Sequence, residues 1–125
     1  MRALDEYLEA LRSQDWKRLE AALAEDVCRT GPYLDVVRGR RAYVEFLSKV
    51  VPKLQNYDLR VRRIRTLDGG SALVELCEIA DIDGVRTEHP EALIFDFDQA
   101  GAILRIDIYL KQPPIRPGRR AAGDV

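Results

Sequence analysis

Between two strand-like runs the chain places Asp83-Gly84. An Asp-Gly pair is the strongest short-range signal for a tight β-hairpin, because a type I′ turn needs positive φ at both central positions. Such a turn fixes register. Ile82 then faces Val85, Ala80 faces Thr87, Glu78 faces His89 and Leu76 faces Glu91. Side chains opposed in this way stand roughly 4.5–5.5 Å apart at Cβ. Strand alternation puts Val74, Leu76, Leu93, Phe95 and Phe97 on the same face. The one histidine of the chain is therefore predicted to sit opposite Glu78 and diagonal to Glu91, on a face otherwise fit for a core.

The remaining elements follow from periodicity. Leu4, Tyr7, Leu8 and Leu11 recur at helical spacing among charged residues, which predicts an amphipathic helix ending near Ser13-Gln14. Asp15 is placed to cap a second short helix carrying Trp16, Leu19, Ala22 and Leu23. A third is predicted from about Arg40 to Val51, stopped by Pro52. From Gln55 the period changes to two, with a bulge expected where Arg63 breaks the alternation. Strands are then predicted at about Ser71–Ile82, Val85–Phe97 and Ile103–Leu110, with a second bulge plausible at Pro90. Helices first and a long meander after them define an α+β class, three N-terminal helices on a strongly curved antiparallel sheet. Residues 1–111 are read as one domain. The segment 112–125, rich in proline and arginine without periodicity, is read as a flexible tail.

With 20 Lys+Arg against 21 Asp+Glu, charge offers no reason to expect nucleic acid or an anionic membrane as partner. The absence of a signal-like start and of a long apolar run predicts a cytoplasmic protein. Cys28 and Cys77 read as small buried hydrophobes, and one histidine with scattered carboxylates makes no metal ligand set. Arg60, Arg62, Arg63 and Arg65 read as a solvated strand face or a salt-bridge network.

The order of these elements, with "EYLEALRSQDWKRLEAALAEDV", "GPY", "RGRRAYVEFL" and "FDFDQAGAILRIDIYL", resembles the nuclear-transport-factor-2-like superfamily. That group includes ketosteroid isomerases, limonene epoxide hydrolases and SnoaL-like polyketide cyclases. The resemblance implies a cone-shaped α+β barrel, an apolar pocket, no cofactor, and a homodimer formed through the outer sheet face. It also implies an oxyanion-hole role for Tyr7. Two other functional positions of the isomerases fall on Gly31 and Leu93, which cannot act as a base or a donor, so steroid isomerisation by that route is not expected.

A four-residue loop at Asp98–Gly101 would set Phe97 opposite Ala102, Leu93 opposite Ile106, Glu91 opposite Ile108 and His89 opposite Leu110. Asp107 then points outward, which makes it a second-rank candidate. The outer face would carry Ala92, Ile94, Ile103 and Tyr109. The expected catalytic set is His89, Glu78, Glu91 and Tyr7, with His89 as base, Glu78 orienting its ring and Tyr7 donating to an oxyanion. The expected pocket lining is Trp16, Tyr33, Asp35, Leu76, Leu93, Phe95, Ile106 and Ile108. Two readings stay open. One is a cofactor-free isomerase, cyclase, dehydratase or epoxide hydrolase acting on a small hydrophobic molecule. The other is a non-catalytic dimeric scaffold, in which the polar set is a structural cluster at the mouth of the cone.

Overall fold

Every element expected from periodicity is present in the computed structural model, which describes residues 2–111. The segment expected to be a tail lies outside the described residues. Helix α1 spans Arg2–Ser13 and buries Leu4, Tyr7, Leu8, Ala10 and Leu11. Asp5 in its first turn and Arg12 in its last complement the helix dipole. It closes with Gln14 at φ 58°, where Gln14 N–H donates to Leu11 O at 3.3 Å and Asp15 N–H to Ala10 O at 2.9 Å. These are the two bonds of a Schellman close. The chain turns sharply there, and the Asp15 side chain at once caps α2 (Trp16–Ala22) by accepting from Arg18 N–H at 3.2 Å. Helix α3 is Arg40–Val50 and buries Tyr43 and Leu47, and Pro52 sits in the 3₁₀ turn Val51–Lys53 that follows.

Strands β3 (Gln55–Thr66), β4 (Ala72–Ile82), β5 (Val85–Phe97) and β6 (Ile103–Leu110) form the meander. Two further strands, β1 (Leu23–Thr30) and β2 (Val36–Arg38), join it, so the sheet has six strands in the order β2-β1-β6-β5-β4-β3. The sheet is mixed rather than antiparallel, because β1 runs parallel to β6. Nothing in the local pattern of residues 23–30 announces a strand. Its inward positions hold Val27 and Arg29, and an arginine at a core position breaks the apolar alternation that would mark one.

The β4–β5 hairpin has the expected register throughout, with Glu78 opposite His89 and Leu76 opposite Glu91. Asp83 and Gly84 have φ of 52° and 78°, as a type I′ turn requires. The expected shift in β3 is present between Val61 and Arg63. No bulge occurs at Pro90, which pairs with Cys77 in unbroken register. Its carbonyl accepts from Lys111 N–H at 3.0 Å. The missing donor therefore points to the β6 side, just past the last residue of that strand, and costs the ladder nothing.

The β5–β6 register differs from expectation by two places: Leu93 faces Ile108, Glu91 faces Leu110 and Phe95 faces Ile106. The turn is tighter than expected, with Asp98 N–H donating to Ala102 O and the Asp98 carboxylate accepting from Ala102 N–H, both at 2.9 Å. A further one-residue irregularity follows, where Phe97 faces Ile103 but Asp96 faces Arg105. The two offsets add to an even number, so the faces survive. Ile106 stays buried and Asp107, opposite Ile94, stays on the outer face. Ile103 is the exception. The irregularity turns it into the core, where it is fully buried rather than outward.

Leu4, Tyr7, Leu11, Tyr43, Val74, Leu76, Leu93, Phe95 and Ile106 pack together between the helices and the concave sheet face. Among the described residues no helix is long and apolar enough to cross a membrane.

Candidate functional site

Two polar groups lie in this interior. The first is carried by helices and by β1. Tyr7, on α1, packs edge-on against Phe95 with ring centroids 5.5 Å apart and planes at 72°. Its hydroxyl makes a very short hydrogen bond with the hydroxyl of Tyr43 on α3. Burial raises the ionisation of both phenols, Tyr43 to about 12, so both are neutral donors at neutral pH. Arg29 extends from β1 beneath them, 8% exposed. Its Cζ lies 4.9 Å from the Phe46 ring centroid and 5.9 Å from that of Tyr43, and its Nη1 donates to Asp35 Oδ2 at 3.0 Å.

Asp35 is held in place by its own loop. It accepts from Tyr33 N–H at 3.3 Å, while Gly31 N–H donates to the Asp35 carbonyl at 2.8 Å. Burial works against ionisation of Asp35, but the hydrogen bonds from Arg29 and the loop amides outweigh it and hold the carboxyl below its ordinary range. Gly31 is required by this arrangement. A Cβ at that position would lie 2.4 Å from Asp35 Oδ1, so the carboxylate of Asp35 occupies the space a side chain at residue 31 would need.

The second group is carried by the hairpin. Glu78 on β4 accepts a 2.6 Å hydrogen bond from the Tyr57 hydroxyl of β3. It also accepts a hydrogen bond from the carboxyl of Glu91 on β5, diagonal to it. Burial, that hydrogen bond and the charge of Glu78 push the Glu91 carboxyl up to about 9, against a smaller opposing pull from Arg29. Glu91 is thus a carboxylic acid at neutral pH, able to donate. The Tyr57 phenol is raised by the same burial and by Glu78. His89 is half-buried directly opposite Glu78, yet the hydrogen bonds of Glu78 go to Tyr57 and Glu91, and His89 makes no side-chain hydrogen bond among the described residues.

The expected residues therefore divide. Glu78, His89 and Glu91 come together, and Leu76, Leu93, Phe95 and Ile106 are buried beside them, with Trp16 and Ile108 partly buried against that core. Tyr7 is present in the interior, but its hydroxyl is taken up by Tyr43. Tyr33 is 75% exposed on its loop and does not line the interior. Asp35 reaches the site only through Arg29, and Asp107 faces away. Sequence reasoning missed Arg29, Tyr43 and Tyr57 as site residues. Tyr43 stood on a helical apolar face like any core aromatic, Tyr57 was one member of an alternating strand, and Arg29 lay in a segment with no strand signal.

Clefts also open among the described residues on other surfaces. One of about 490 Å³ on the outer sheet face is lined by Glu75, Cys77, Pro90, Glu91, Ala92 and Tyr109. Another, of about 830 Å³, lies between the start of α1 and the β5–β6 turn, among Ala3, Phe97 and Ala102. A third of about 420 Å³ lies between α1 and β3, bordered by Leu8, Arg12 and Asp58. Among the described residues no group of three or more His, Cys, Asp or Glu could hold a metal ion.

Three helices packed on a curved, mixed six-stranded sheet define an α+β fold. The chain belongs to the SnoaL-like domain family, whose pattern matches residues 4–106. Among solved structures it is similar to an epoxide hydrolase of the LEH-like type from M. tuberculosis, with 24% identity, TM-score 0.74, and 88% of this chain and 80% of that one covered. A putative polyketide cyclase from Xanthomonas campestris pv. campestris is 25% identical, with TM-score 0.67 and 86% of each chain covered. Bal32a, from a soil-derived mobile gene cassette, is 16% identical with TM-score 0.78, covering 87% of this chain and 86% of that one. No curated protein matches the sequence significantly.

Proposed function

We propose that the protein binds a small, predominantly apolar molecule on the concave side of the sheet and moves a proton on it without a cofactor. The observation that carries this reading is the half-buried pair of Glu78 and Glu91 carboxyls on neighbouring strands, with Glu78 fixed by the Tyr57 hydroxyl at 2.6 Å; burial and Glu78 keep the proton on Glu91. A neutral acid beside a carboxylate is the pairing that lets one site give a proton and take another. Glu91 delivers its proton to an oxygen of the substrate, and Glu78 accepts one from carbon or from water. In this reading His89, opposite Glu78, passes that proton on to solvent. The Tyr7–Tyr43 pair supplies a neutral donor deeper in the interior. Isomerisation, cyclisation, dehydration and epoxide opening all need this pair of transfers, and the similarity to an epoxide hydrolase and to a putative cyclase supports reactions of that kind.

Thermal-shift and turnover measurements with terpenoid epoxides, steroids and aromatic polyketides test the reading. A ligand at 100 times its Kd stabilises the fold by about 2.7 kcal/mol, and Glu91→Gln and Glu78→Gln each abolish turnover while binding persists. Turnover undiminished in both variants would sink it.

The packed interior around Tyr7, Leu76 and Phe95 favours a second reading, a non-catalytic homodimeric scaffold. Tyr109, 59% exposed beside the outer cleft, is then an interface residue. A dimer that binds none of the compounds is the expected outcome under this reading.

A further inference from the structure

The reading of the interior as a ligand site leaves open which part of the ligand it grips, and Arg29 bears on that. Three contacts fix its guanidinium: the 3.0 Å bond from Nη1 to Asp35 and the faces of Phe46 and Tyr43. Its Nε–H, by contrast, is buried and has no acceptor among the described residues. Leaving a buried donor unpaired is unfavourable, and native interiors pair nearly all of them. The strand has no need of an arginine there for packing, since Val27, two residues earlier on the same face, is fully buried as an ordinary apolar residue.

We propose that Arg29 Nε–H donates to an uncharged oxygen of the ligand, a carbonyl, ether or epoxide oxygen, and so orients an otherwise apolar molecule beside Glu78 and Glu91. A guanidinium stacked on aromatic rings presents its Nε edge as a fixed donor.

Charge selects an uncharged oxygen over a carboxylate. The cation of Arg29 is already matched by Asp35. The negative charge of Glu78 reaches both Tyr7 and Tyr43, which flank Arg29. An anionic ligand would bring a further negative charge into a poorly solvated interior whose cation is already paired, and like charges repel strongly there. A neutral oxygen satisfies the donor without that repulsion.

The test uses three probes of one shape: 2-decalone, decalin and decalin-2-carboxylate. The intact protein is expected to bind 2-decalone at least tenfold more tightly than either of the others, and Arg29→Lys, which keeps the charge but lacks the Nε donor, erases the preference while decalin still binds. A second measurement needs no variant to fold well. In ¹H–¹⁵N spectra of the native protein the Arg29 Nε–H resonance moves on adding 2-decalone and not on adding decalin.

Equal affinity for 2-decalone and decalin, or an Nε–H resonance indifferent to 2-decalone, would mean that the donor serves structural water, and overturns the proposal. Tighter binding of the carboxylate overturns the choice of an uncharged oxygen. Failure of all three probes to bind defeats the ligand-site reading and this inference with it. A decalin that binds without preference for the ketone defeats the inference alone.

Discussion

The helix-borne half of the polar interior and the hairpin-borne half solve the same problem differently. Tyr7 and Tyr43 share one short hydrogen bond between their hydroxyls, buried with Tyr7 edge-on against Phe95. Glu78, Glu91 and Tyr57 sit half-buried and leave one proton between two carboxyls. A closed pair of phenols is inert over the physiological pH range, whereas a carboxyl held near 9 is a proton store within reach of ordinary conditions. Packing dominates the first region and electrostatics the second.

The largest expected effect lies in the sealed half. Phe95→Ala removes the ring against which Tyr7 packs and costs about 3–5 kcal/mol, read as a loss of denaturation midpoint at constant m-value. A cost below about 1 kcal/mol would show that the two halves are equally loose.

The open half should respond to pH instead. The ordinary value for Glu91 is 4.5 and its folded value is about 9. Below 4.5 both folded and unfolded chains hold the proton, and stability is unaffected. Between 4.5 and about 9 the unfolded chain gives it up while the folded one keeps it, so stability falls as pH rises, by at most about 1.4 kcal/mol per unit. Above that window the loss levels off. Glu91→Gln flattens the slope and becomes more stable than the native chain toward pH 9, as measured by denaturation across the pH range. An unchanged slope would remove Glu91 from the account.

Smaller effects distinguish the partners within each half. Tyr43→Phe strands the Tyr7 hydroxyl and costs about 1–3 kcal/mol. Adding Tyr7→Phe recovers part of the loss, and a double-mutant cycle measures the coupling. Asp35→Asn weakens the hold on Arg29, but Asp35 is 44% exposed, so solvent screening limits the loss to about 1 kcal/mol. Asp83→Ala is the mildest change. It places alanine at φ 52°, costs roughly 1 kcal/mol, and leaves the pairing of Glu78 with His89 unchanged in cross-strand NOEs.

Much of the hairpin-borne half was legible in sequence because its determinants are local. Asp83-Gly84 sets the turn, alternation sets the faces, and Glu78, His89 and Glu91 fall where the turn puts them. The β5–β6 pairing was legible only in its faces. A tighter turn at Asp98 and an irregularity at Phe97 each added one place, and neither leaves a mark in the apolar pattern except through their even total. The helix-borne half was half hidden. Tyr7 could be named, but Tyr43 looks like any aromatic on an amphipathic helix, and its link to Tyr7 spans elements whose packing is set elsewhere.

The sequence by itself determined the three helices, the four strands of the meander and the opposition of His89 to Glu78, because turns, caps and periodicity act over a few residues at a time. Only the tertiary structure decided that β1 lies parallel to β6, that Arg29 is buried on Phe46 and Tyr43, and that Glu78 bonds Tyr57 and Glu91 rather than His89. Those outcomes depend on which distant segments share the interior. Once water is excluded there, a carboxyl keeps its proton and each donor must find an acceptor among neighbours that no local pattern names.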